Sequence, residues 1–189
     1  MVVNGKNMTK NSIVFNGLRC VSSCLPGKPN VPIETDVRLW SNASSWTSGK
    51  VPVANESVEI EGGWNMIYDI EESPIINTLE INGRLTFKAK SNLHLRAKHI
   101  FVRAGELIIG NETAPFEGNA KITLIGEKAN QHIVFEKNVE AGNKVIANTG
   151  LIKMYGLPRP VTMTRLTKTA NPGDKSIHIE PNLDWVAGD

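Results

Sequence analysis

The chain repeats one short phrase. Ile81-Asn82-Gly83-Arg84-Leu85-Thr86-Phe87 returns 22 residues later as Arg103-Ala104-Gly105-Glu106-Leu107-Ile108-Ile109. A looser echo is Asn148-Thr149-Gly150-Leu151-Ile152-Lys153-Met154. The step from Gly105 to Gly150 is 45 residues, close to two such periods. Ile122-Thr123-Leu124-Ile125-Gly126 is therefore read as the missing middle copy, and Ile60-Glu61-Gly62-Gly63 as an earlier one. A glycine ladder of Gly62, Gly83, Gly105, Gly126 and Gly150 results.

A period of that size means a unit that cannot bury its apolar face alone and stacks on copies of itself. A leucine-rich repeat would need several leucines and an Asn or Cys ladder in every unit. Here each unit offers one short alternation of β-branched and polar residues, as strands do. The fold expected is all-β: a right-handed parallel β-helix with coils of about 22 residues, glycines marking the bends. The competing architecture is a β-sandwich with evenly spaced hairpins. No stretch carries the 3.6-residue period of an amphipathic helix.

Three parts are expected. Residues 1–38 hold no repeat and form a lead-in that caps the first coil, or the tail of a preceding module. Residues 39–128 hold the regular coils. Residues 129–189 continue the stack and stop on Gly188-Asp189 without a cap, as a piece of a longer solenoid would. Capping matters because an open stack end exposes unpaired backbone and apolar rungs. Trp40 and Trp46 open the repeat region. They read either as a plug sealing that end or as a platform for sugar stacking. Within the coils, Glu127 to Lys144 is the most loop-like stretch, and bulging loops often carry binding.

The net charge of +2, from 21 basic and 19 acidic residues, describes a mixed, solvated surface without a basic stripe. Nucleic acid is not an expected partner. No apolar run approaches the roughly 20 residues of a membrane span, so any membrane attachment is assigned to other regions of a longer protein. Met1 to Ser12 lacks the apolar centre of a signal peptide. Cys20 and Cys24 close a short loop if they pair, or remain two thiols. Without a second pair or a nearby His they do not read as a zinc site. Four N-x-S/T triplets place glycosylation candidates at Asn7, Asn42, Asn55 and Asn111, weak support for secretion.

No nucleophile motif, phosphate loop or His pair is evident, and the reading leans away from an enzyme. His94 and His99, five apart, should point to opposite faces of a straight strand. Asp69-Ile70-Glu71-Glu72 is the densest carboxylate group. It reads as a solvated acidic turn, with calcium the one ion whose ligand preference it could suit. No cofactor is otherwise expected. Arg84 and Arg103, beside equivalent glycines, join Trp40 and Trp46 as a candidate glycan face.

The ordered motifs Trp40-Ser41, Trp46, Gly49, Val51-Pro52, Val58-Glu59-Ile60, Ile81 to Phe87, Gly105 to Gly110, Pro115-Phe116 and Ile122 to Gly126 closely resemble the extracellular G-eight domain. Tyr155-Gly156, Thr164-Arg165-Leu166, Gly173-Asp174 and Asp184 to Asp189 resemble the segment that follows it in fibrocystin-like proteins. The resemblance implies a glycosylated ectodomain at the cell surface or on cilia, meeting extracellular glycans or proteins. A second branch of the family binds and depolymerises hyaluronan. The pairing of Thr164-Arg165-Leu166 with Asp184-Trp185 tilts the reading to the non-enzymatic branch. Glu106 departs from the pattern, standing where the family often has a second glycine.

Overall fold

The structure is a computed structural model that describes residues 31–127, 132–135 and 139–185, with the backbone of two short strands near the N-terminus. Those are β1 (Val2–Val3) and β2 (Lys6–Asn7), an antiparallel pair. Then come β3 (Val37–Leu39), β4 (Ser57–Ile60), β5 (Asn65–Tyr68), β6 (Ile76–Ile81), β7 (Arg84–Phe87) and β8 (Asn92–Val102). The remaining strands are β9 (Glu106–Ile109), β10 (Asn119–Leu124), β11 (Ile133–Phe135), β12 (Val139–Ala141), β13 (Val145–Asn148) and β14 (Leu151–Met154). Helix among the described residues is confined to one 3₁₀ turn, Ala43–Ser45.

The chain is all-β, and its two main sheets are parallel throughout. The first runs β4-β6-β8, and β8 then pairs with both β10 and β13. The second runs β3-β5-β7-β9-β14. Successive strands alternate between the sheets, so each pass supplies one strand to each. This pairing rules out the hairpins of a sandwich, which are antiparallel. Residues in register sit 21 apart at the first sheet's early steps, Ser57 with Thr78 and Thr78 with His99. Inward ladders follow: Val58, Leu79 and Ile100 on one sheet, Met66, Leu85 and Leu107 on the other. Both sheets contribute to one apolar cluster.

Gly83, Gly105 and Gly150 form a stack. A Cβ on Gly105 would run into the carbonyl oxygen of Gly83, and one on Gly150 into that of Gly105. Close approach between passes, rather than an unusual φ, is what excludes a side chain here. The expected middle copy at Gly126 is corrected. The Ile125 N–H bonds the Ala97 carbonyl, so Ile122 to Leu124 continue the ladder over the first half of β8. The 45-residue step is one pass, not two. β10 covers Asn92–Ala97, β13 covers His99–Val102, and the chain between them loops out and carries the antiparallel hairpin β11–β12. Two halves of one long strand pair independently, so the chain can leave after the first half and return in register for the second.

The N-terminal end of the stack is closed by aromatics. Trp40 is wholly buried, edge-on to Trp46 at 4.9 Å and to Tyr68 at 5.2 Å. Trp46 packs edge-on to Trp64 at 6.1 Å and donates its indole N–H to the Trp40 carbonyl. The Arg38 guanidinium lies 4.6 Å from the Trp64 ring centroid. From the lead-in, Val31 packs on Gly62 and Gly63, and the Glu34 N–H bonds the Gly63 carbonyl. At the other end the inward residues of the last pass, Ile122, Ile146 and Ile152, are only partly covered.

Candidate functional site

The polar groups converge on the outer face of the first sheet, and a bend in register decides which side chains reach it. Along β8, Leu93, Leu95 and Ala97 point inward, Lys98 and His99 are both outward, and Ile100 is inward again. β6 makes the same double step at Asn77 and Thr78, between inward Ile76 and Leu79. Ile76 pairs with Ala97 and Thr78 with His99, so the bends coincide. The step flips the parity of the strand. His94 and His99 therefore share the outer face, against the expectation for a straight strand.

One facet of this face centres on His94. Its Nδ1 lies 2.9 Å from Glu72 Oε2, and its Nε2 lies 2.8 Å from Thr123 Oγ1. The other Glu72 oxygen pairs with the Arg96 guanidinium at 2.9 Å, and Arg96 also donates to the Ser73 carbonyl. Ser73 is fully buried, and its hydroxyl accepts the Arg96 N–H. Glu72, His94 and Thr123 come from three consecutive passes, so the imidazole ties them together. Carboxylate, imidazole and hydroxyl stand in the order of an acyl-transfer relay. Yet the adjoining cleft of about 250 Å³ is walled by Glu71, Asn92, His94, Asn119 and Lys121, and Thr123 is not among its walls. Cross-strand bonding accounts for the arrangement.

The second facet centres on Asn82. Its Nδ2 donates to Glu59 at 3.0 Å and to Glu80 at 2.7 Å, carboxylates that face each other in register. Arg103 approaches Glu80 at 3.5 Å. The paired N–H bonds and the guanidinium hold two like charges side by side that would otherwise repel. Past Glu80 the ladder continues to Phe101. Phe101 would project into solvent, but Phe135 of the hairpin stacks on it at 4.6 Å and both are buried.

The residues singled out in the sequence scatter. Trp40 and Trp46 are buried, so neither offers a ring face for a sugar. Arg84 and Arg103 occupy opposite sides of a bend. Arg84 is in register with Glu106 on the second sheet and pairs with it at 2.6 Å, while Arg103 serves the first sheet. Asn42, Asn55 and Asn111 are exposed in connections. Cys20 and Cys24 lie outside the described residues, as does the Asn7 side chain. The Asp69 carboxylate accepts from the Ser41 N–H and hydroxyl, whereas Glu72 turns to His94. Among the described residues no three His, Cys, Asp or Glu gather as metal ligands. Glu72 was singled out only as part of the acidic turn, and Thr123, Asn82 and Glu80 were missed, because Glu72, Thr123 and Asn82 each find a partner on a neighbouring pass, His94 for the first two and Glu59 for the third, while Glu80 meets Arg103. A depression of about 850 Å³ lies elsewhere, walled by Ile109, Phe116, Met154, Tyr155 and Leu157 at the partly covered end. No described helix is long and apolar enough to cross a membrane.

A profile of the G8 domain matches residues 45–167. Fibrocystin-L of Mus musculus is 32% identical over 152 residues, 80% of this chain and 4% of its own length. Fibrocystin of Canis lupus familiaris is 35% identical over 153 residues, 79% of this chain and again 4% of its own. A G8 domain-containing protein of Dictyostelium discoideum is 26% identical over 160 residues, 82% of this chain and 11% of its own. The chain thus spans about 4% of the fibrocystin relatives it matches. No solved structure matches.

Proposed function

The chain belongs to the G8 domain family, and on that premise we propose that it is a non-enzymatic extracellular segment of a large cell-surface or ciliary protein. In this reading the two sheets are walls of a right-handed parallel β-helix that acts as a stiff spacer. The outer face around His94 and Asn82 meets extracellular glycans or proteins. The observation that carries the reading is the in-register stack, in which Gly83, Gly105 and Gly150 bring successive passes into backbone contact. Such a stack resists bending because each pass is hydrogen-bonded to the next across two sheets. Arg84 and Arg103, each already beside a carboxylate, argue against a free cationic groove for a polyanion.

The test has two arms. Surface biotinylation of cells making the full-length protein should label this segment; a segment that stays protected overturns the placement. The purified chain is also passed over immobilised matrix glycans and proteins, and incubated with hyaluronan whose length is then measured. Retention with unchanged hyaluronan length supports the reading. Shortened hyaluronan overturns its non-enzymatic part and favours a hyaluronan-depolymerising module.

A further inference from the structure

Three glycosylation triplets lie among the described residues, and the fold treats them differently. Asn111-Glu112-Thr113 begins the exposed connection from β9 to β10. Its carboxamide oxygen accepts three hydrogen bonds: from the Thr113 N–H at 3.0 Å, the Thr113 hydroxyl at 2.9 Å and the Ala114 N–H at 2.7 Å. The turn is closed by the Asn111 N–H bonding the Ala114 carbonyl. The residue itself is exposed. Asn42-Ala43-Ser44 is held in a similar way by two bonds, from the Ser44 N–H and hydroxyl. At Asn55-Glu56-Ser57 the backbone is left-handed, φ 64°, and Ser57 has already entered β4.

We propose that Asn111 is an N-glycosylation site, its side chain presented on an exposed turn that its own triplet closes. In the transfer, Asn111 Nδ2 forms a bond to C1 of the first sugar of a polyprenyl-pyrophosphate-linked oligosaccharide. The C1–oxygen bond to the pyrophosphate breaks, the polyprenyl pyrophosphate leaves with the electron pair, and the proton lost from Nδ2 goes to that departing pyrophosphate. Every bond of the turn comes from residues 111–114, so it can form in a nascent chain before the sheets exist. In the folded protein Asn111 lies outside the strands, in the connection from β9 to β10.

The inference rests on the extracellular reading, and the experiment separates the two. The full-length protein is made in a eukaryotic cell from its own gene, and the same chain is separately secreted behind an added signal peptide. Glycopeptides from both are mapped by mass spectrometry before and after peptide-N-glycosidase. In the secreted chain, Asn111 should be occupied in most molecules. N111Q and T113V should each lose one glycan, T113S should keep it, and N42Q should leave Asn111 occupied. Secreted protein with Asn111 bare overturns the inference, whether or not Asn42 or Asn55 is occupied. An occupied Asn111 on the secreted chain, beside a full-length protein that never enters the secretory membranes, upholds the site and overturns the extracellular reading alone.

Discussion

Leu151 lies in register with Glu106, so Gly150 rests on Gly105 although 45 residues of chain separate the two glycines. The contact shows that the stack tolerates a long excursion provided the chain returns to the same bend. It also identifies the positions where the fold is least forgiving.

Gly105→Ala is expected to be severe. The new methyl would meet the Gly83 carbonyl oxygen, the Asn82 carbonyl carbon at 2.7 Å and the Ile81 carbonyl oxygen at 2.9 Å. None of these is the end of a flexible side chain, so a loss of roughly 3 kcal/mol or more is expected. Gly142→Ala is the control, because nothing lies within 4 Å of its added carbon. Its change should stay within about 0.5 kcal/mol. Urea unfolding of the two variants measures the contrast.

The Arg84–Glu106 pair joins two neighbouring strands of the second sheet, in register with each other. Both side chains are about a third exposed, 38% and 29%. Solvent screens such a pair, and a double-mutant cycle of Arg84→Ala and Glu106→Gln should return a coupling of about 0.5–1 kcal/mol. The coupling should shrink as salt is raised. A coupling of several kcal/mol would mean the pair is more deeply buried than its exposure implies.

Phe135→Ala should free the hairpin without unfolding the sheets. Phe101 and Phe135 stack on each other, with His99 edge-on to Phe135, outside the central apolar cluster. Loss of about 3 kcal/mol of local stability should speed proteolysis between residues 125 and 144 by roughly 150-fold. Amide protection in β5, β7 and β9 should be unchanged by hydrogen exchange. If protection falls everywhere, the hairpin is part of the cooperative core.

Tyr68 gives the protein an alkaline limit. Burial pushes its hydroxyl up to about 12 from an ordinary 10.0, hydrogen bonding with Ser73 opposing this to a lesser extent. The hydroxyl donates to the His94 carbonyl at 2.8 Å. Between pH 10 and 12 the unfolded chain has lost this proton while the folded chain keeps it. The group's contribution is therefore complete below about pH 10 and fades as pH rises through 12, with a slope approaching 1.4 kcal/mol per pH unit. Tyr68→Phe should remove that slope from alkaline unfolding curves and cost about 1 kcal/mol at neutral pH.

The alternation of Ile, Leu and Val around each glycine was enough to indicate short strands and a repeated unit, because inward and outward positions are local properties of a strand; the family came from the order of the Trp, Gly and Pro motifs. The Trp pair at the opening of the repeat left an end plug and a sugar platform both open, and burial of the two rings decided between them. What sequence spacing misjudged was the step from Gly105 to Gly150. A period counts residues, whereas the stack counts returns to one bend, and the hairpin between β10 and β13 adds residues without adding a pass. The double outward step at Lys98 and His99 was equally hidden, since a bend in register leaves no mark in the composition of a strand.

The sequence by itself determined the kind of element, the repeated glycine bend and the residues that had to be buried, since these follow from each residue's own size and polarity. Only the tertiary structure decided which neighbour each polar side chain meets. Glu72 finds His94, Asn82 finds Glu59, and Arg84 finds Glu106 across a gap between passes that is fixed by the whole stack. A hydrogen bond depends on a separation of about 3 Å, and that separation exists only once the backbone of one pass lies on the next.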